Sequence, residues 1–115
     1  MQIAIKTVNG KEIAEVTSDM VIINTLEDGL DILANCAYQG AEKIIIHQHN
    51  LSPEFFDLKT RLAGDILQKF STYRVQLAIV GDFSGYTSKS LRDFIFESNK
   101  GSLIKFVGSV EEATQ

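Results

Sequence analysis

The sequence predicts one α/β domain built on a mixed sheet of about five strands, covered by helices. Three observations carry this reading. Asn9-Gly10 separates two short alternating stretches, the pattern of an antiparallel hairpin. Two later runs, Ile44-Ile45-Ile46 and Val75 to Val80, are largely apolar without alternation, as in strands buried on both faces. Segments with apolar residues at helical spacing separate these runs.

Taken in order, Gln2 to Val8 reads as the first strand, with Ile3 and Ile5 on one face, and Glu12 to Val16 as its return. Met20 to Asn24 is a short apolar stretch that fits neither period. Thr25 suits a helix cap, with Glu27 and Asp28 in the first turn, where the helix dipole favours acids. Leu26, Leu30, Leu33 and Ala37 form the helical stripe, Ile32 and Cys36 widen it, and Gly40 ends it. Lys43 to His47 is the next strand. Ser52-Pro53-Glu54 then opens a helix that runs to about Phe70, with a break near Asp57. Leu58, Leu62, Ile66 and Phe70 lie four apart on its inner face, and Asp65 and Lys69 form an i,i+4 pair. Arg74 to Val80 is a second buried strand, and Gly81 to Thr87 a polar loop. A helix follows from about Ser88 to Asn99, with Ser90 and Asp93 as a capping box if it starts late. Leu103 to Val107 is the last strand, and Ser109 with Glu112 caps a final turn. Strands that alternate with helices are most simply parallel, with right-handed crossovers.

Composition narrows the function classes. The 115 residues carry 44% hydrophobic residues and a net charge of −4. That content suits a folded domain that needs no disulfide or metal staple. Lysine and arginine are scattered, so no nucleic-acid footprint is present. The N-terminus reads as neither a signal peptide nor a membrane span, so no membrane insertion is expected. Cys36 is the only cysteine, which suits a reducing cytoplasm and a small buried residue.

In open parallel sheets, ligands gather beyond the carboxyl ends of the strands. Gln48 to Ser52, Gly81 to Ser88 and Gly108-Ser109 occupy that position, each before a helix N-terminus, where free N–H groups attract anions. Asn50, Ser52, Asp82, Ser84, Ser88, Lys89 and Arg92 are therefore candidate ligand-binding residues. Capping alone also accounts for Ser52, Ser88 and Ser109. His47 and His49 project to one side of an extended segment, and with Asp82 could form a metal site or a base with its orienter. No third ligand is supplied locally. Gly81-Asp82-Phe83-Ser84-Gly85 lacks both the Walker ending and the dinucleotide glycine pattern. The reading therefore names no catalytic residue, no metal and no cofactor. Phe55 and Phe56 are adjacent, so a helix cannot bury both equally, and one is a candidate for an interface. Gly64, inside a helix, suggests close backbone approach to another element or to a second subunit.

The strings Phe55-Phe56-Asp57-Leu58-Lys59-Thr60, Ala63-Gly64, Gln68-Lys69-Phe70, Ala78 to Asp82, Asp93-Phe94-Ile95 and Glu97 to Gly101 span most of the chain. They resemble the uncharacterised bacterial family called domain of unknown function 4180, which carries no established activity. The element order also resembles the STAS-like fold of anti-sigma-factor antagonists. In phosphorylatable members of that class, a Ser or Thr begins the helix after a central strand. The resemblance thus makes Ser52 the candidate phosphorylation site. Asn50-Leu51-Ser52-Pro53 departs from the usual Asp-Ser step and glycine, and the residues alone read Ser52 as a cap.

The leading expectation is a non-catalytic regulatory or protein-interaction module, acting as a homodimer or with a protein partner. The alternative is a domain binding a small anionic ligand at the helix N-termini. A histidine-dependent enzyme ranks third.

Overall fold

The computed structural model describes residues 1–115. Strands β1 (Gln2–Val8) and β2 (Lys11–Thr17) form the opening hairpin. Asn9 and Gly10 take φ of 52° and 80°. Two successive left-handed residues make the type I′ turn, whose twist matches that of the strands it joins. Val8 therefore faces Lys11, and the register continues to Gln2 opposite Thr17.

Helix α1 (Leu26–Tyr38) starts at Thr25, whose hydroxyl accepts from Asp28 N while the Asp28 carboxylate accepts from Thr25 N. Gly29, Ile32, Leu33 and Cys36 form its buried face. The stripe is thus turned from the expected one: Ala37 is exposed, and Leu26 and Leu30 are half-buried. Gly29 lets the Ile66 side chain come close, since a Cβ there would lie 3.1 Å from it. Gly40 follows the helix at φ 95°, as expected. Ile44, Ile45 and Ile46 in β3 (Lys43–His47) have no exposed surface.

The helix expected from Ser52 to Phe70 breaks at Asp57, and the break is wider than one residue. Short 3-10 turns at Pro53–Phe56 and Leu58–Thr60 precede α2 (Leu62–Tyr73). Local side chains cause the break. The Asp57 carboxylate accepts from Lys59 N, and Thr60 Oγ1 donates to the carbonyls of Glu54 and Asp57. These bonds offer the backbone an alternative to the helical ladder, and Arg61 then turns through a left-handed φ of 65°. Leu62, Ile66 and Phe70 are buried as expected, whereas Asp65 and Lys69 form no ion pair.

After β4 (Gln76–Val80), α3 (Lys89–Lys100) is capped by Ser88, which accepts from Leu91 N. The Ser90–Asp93 box does not form, because the helix starts at Lys89 and Ser90 lies inside its first turn; Asp93 pairs instead with Lys89 at 2.7 Å. Strand β5 (Ile104–Val107) leads to the four-residue α4 (Val110–Ala113), capped by Ser109. No helix is long and apolar enough to cross a membrane.

The sheet order is β1-β2-β3-β4-β5, antiparallel at the hairpin and parallel thereafter. Each crossover thus steps in the same direction, and repeated crossovers of one hand put their helices on one face. The main core confirms this: Ala14, Val16, Ile44, Ile46, Leu77, Ile79, Ile104 and Phe106 pack against α1, α2 and α3. The opposite face presents Ile13, Ile45, Ala78 and Val80, covered by Val110 and Ala113 of α4. Lys43 pins that helix by donating to the carbonyls of Ala113 and Gln115 at 2.8 and 3.2 Å. Burial lowers the Lys43 pKa, helped by the nearby charges of Lys11 and Lys105.

Candidate functional site

Two regions offer groups to a ligand or partner: the loops beyond the carboxyl ends of the parallel strands, and the edges of the sheet.

The loops are largely closed by their own bonds. Asn50 is fully buried. Its side-chain oxygen accepts from His47 N, and its amide donates to the carbonyls of Ser18 and Met20 at 2.9 and 2.8 Å. Its own carbonyl accepts from Ile22 N and Ile23 N. The stretch Met20 to Asn24 is thereby tied to Asn50 without forming a strand, with one isolated parallel bridge from Ile23 to Leu51.

Gln48 makes a second closure that residue patterning did not single out. Its side-chain oxygen accepts from Asp82 N at 3.0 Å, and its amide donates to the Tyr86 hydroxyl at 2.9 Å. A Cβ on Gly81 would lie 2.3 Å from that same oxygen, so the Gln48 side chain fills the space above β4. Phe56 stacks on Tyr86 with ring centres 5.1 Å apart and also meets Phe83 and Phe55. Ligand crevices in open sheets form where the strand order reverses, so that neighbouring loops part to opposite faces. This order never reverses, and the loops fold together instead. None of the four surface hollows includes a residue from 48 to 52 or from 81 to 88.

The remaining candidates follow. Ser52 is 5% exposed, makes no side-chain cap bond, and its hydroxyl has no partner. Its burial takes the hydroxyl out of reach of a kinase as the molecule stands. Asp82 is held by Ser84, whose hydroxyl donates at 2.6 Å and whose N–H donates at 3.0 Å. Those two bonds, the hydroxyl first, hold the Asp82 carboxyl below the usual carboxylate range. Ser88 caps α3, and Arg92 is exposed on its outer side. His47 and His49 stack with ring centres 5.6 Å apart, and His49 Nε2 meets the Ser18 carbonyl. Asp82 joins neither ring by a hydrogen bond, and no three His, Cys, Asp or Glu side chains come together to hold a metal. Phe55 is 1% exposed, so it belongs to the core, while Phe56 is half-buried. A Cβ on Gly64 would meet nothing within 4 Å, so no other part of this chain approaches it. Burial pushes the Cys36 thiol up to about 11, which leaves it neutral and inert.

The sheet edges differ from the loops. In a two-residue hairpin the residues flanking the turn exchange bonds, and pairs alternate from there. Val8, Lys6, Ala4 and Gln2 thus bond to β2, while the N–H and C=O groups of Ile3, Ile5 and Thr7 point away. No bond outside the sheet ladder involves the backbone of residues 2–8. At the opposite edge, the Asn99 side chain accepts from Phe106 N at 2.7 Å and donates to Phe106 O at 3.1 Å. The β5 edge is therefore capped at Phe106, whereas none of the outward groups of β1 has a partner. Patterning located β1 but could not show it as an edge, because edge status depends on the sheet order.

No curated protein and no solved structure matches the chain. The family described as Domain of unknown function (DUF4180) matches it over residues 8–115, nearly its whole length, and the chain belongs to that family.

Proposed function

We propose that this domain is a non-catalytic interaction module whose working surface is the open edge of β1. The observation that supports it is the row of unpartnered main-chain groups at Ile3, Ile5 and Thr7. Such an edge accepts an added strand, whose main-chain bonds supply affinity while alternate side chains supply specificity. A regulatory role in a bacterial cytoplasm and a STAS-like fold are part of this reading. They rest on the lone thiol, the family resemblance and the order of elements.

The test is selection of displayed random peptides on the purified protein and on Thr7→Pro. Proline at an outward-facing edge position removes one exposed N–H and the Thr7 hydroxyl's bond to Glu12, and leaves the main-chain bonds to β2 in place. We expect alternating, extended peptides to enrich on the parent protein, to slow amide exchange at Ile3, Ile5 and Thr7, and to be lost on the variant. Peptides that bind both proteins equally would sink the reading. A melting temperature raised by nucleotides, phosphates or lipids would move the function to the strand-end loops.

A further inference from the structure

We infer that the strand received at this edge is β1 of a second copy, paired antiparallel about a two-fold axis at Ile5. This inference rests on the reading of the β1 edge given above. The outward groups of Ile3, Ile5 and Thr7 are evenly spaced on either side of Ile5. A two-fold axis there sets Ile5 opposite Ile5 and Ile3 opposite the second copy's Thr7, which satisfies all three residues through about six main-chain bonds.

The side chains favour this register. Ile3 and Ile5, half-buried beside the main core, would be covered by the second copy's Thr7 and Ile5. On the other face, Lys6 would stand opposite the second copy's exposed Ala4, not opposite Lys6. Ala4 pairs with Glu15 in the same row of the sheet. Lys6 already meets its own Glu15 at 3.0 Å, with that lysine side chain 43% exposed. In the pair, each lysine would lie between two glutamates, its own and the one beyond the small Ala4. The four charges alternate and cancel. Lysine on an edge strand ordinarily repels added strands, so this edge is selective for a strand that presents a small residue backed by a carboxylate. The chain's own β1–β2 hairpin is such a strand.

The assembly also stops. Two-fold pairing consumes both β1 edges, and only the β5 edges remain, each four residues long and bonded to Asn99 at Phe106. The product is one continuous sheet across two copies, whose outer edges are short and interrupted by Asn99, which disfavours growth of a fibre.

The experiment is sedimentation of the full chain from roughly 1 µM to 1 mM, the range for a small strand-to-strand interface. Three variants accompany it: Thr7→Pro, Lys6→Glu, and the swap Lys6→Glu with Glu15→Lys. We expect a reversible dimer with slowed amide exchange at Ile3, Ile5 and Thr7. Thr7→Pro and Lys6→Glu should each weaken it about tenfold or more, and the swap should recover most of that loss. If Thr7→Pro does not fold, the charge pair still decides. A protein that stays monomeric overturns the second copy as occupant. So does a dimer indifferent to these variants. If selected peptides still bind β1 in either case, the interaction module survives and only the inferred partner falls. If peptides also fail to bind β1, both fall.

Discussion

The two edges of this sheet are finished in opposite ways. At β5, four residues long, the Asn99 amide acts as a short stand-in for a peptide group, meeting both the N–H and the C=O of Phe106. Lys105 reinforces it by donating to the Asn99 carbonyl at 2.6 Å. At β1, seven residues long, nothing comparable occurs. The strand-end loops follow the β5 solution, since Asn50 and Gln48 also use side-chain amides to bond main-chain groups. Side-chain amides are suited to this because they carry both donor and acceptor. The contrast teaches where to look for contact with other molecules. Side-chain amides close main-chain groups at the strand ends and at Phe106, and no side chain does so along β1.

The comparison breaks most severely at Asn50. Asn50→Ala removes three side-chain bonds at a fully buried position and leaves His47 N and the Ser18 and Met20 carbonyls without these partners. We expect a loss of about 2–3 kcal/mol, since the three bonds contribute roughly 1 kcal/mol each and the Ser18 carbonyl keeps His49 as a partner. Denaturant unfolding measures it. A loss under about 1 kcal/mol would show that the segment from Ser18 to Ile23 is held by other contacts.

Asn99→Ala sharpens the comparison by opening the second edge. The expected loss is smaller, about 1–2 kcal/mol, because Asn99 is only part-buried and water can replace its two bonds. The more telling readout is association. With β5 uncovered, amide exchange at Phe106 should speed up, and species larger than a dimer should form. An unchanged sedimentation profile together with unchanged exchange would mean that Asn99 does not guard this edge.

Much of the fold was legible in the residues, and the candidate site much less. Asn9-Gly10 fixed the hairpin because only left-handed turns match its twist. Thr25, Ser88 and Ser109 cap where read, since hydroxyl capping is decided within one turn of chain. The break between Ser52 and Leu62 was harder, because its centre, Asp57 and Thr60, competes with the helix through bonds whose geometry patterning does not reveal. Strand order was not legible, and it decides both where a crevice forms and which strand lies at the edge. Asn50 illustrates the consequence. A polar residue after a strand fits a ligand contact or a structural tie equally well until its neighbours are known.

The smallest effect tests the loop end from the other side. Ser52 is the one buried side chain there whose polar atom has no partner. Ser52→Ala therefore breaks no side-chain bond to the rest of the chain and removes a buried hydroxyl. Its main-chain bonds, from Ser52 N to Ile23 O and from Phe55 N to Ser52 O, are untouched. Stability should stay within about 0.5 kcal/mol of the parent or rise slightly. The inferred pairing through β1 should be unaffected, because β2 separates β1 from the end of the central strand β3. A loss near 2 kcal/mol would instead give the hydroxyl a bound water or ligand. The strand ends would then be less closed than their amide bonds make them, and the contrast with β1 would narrow to the two edges alone.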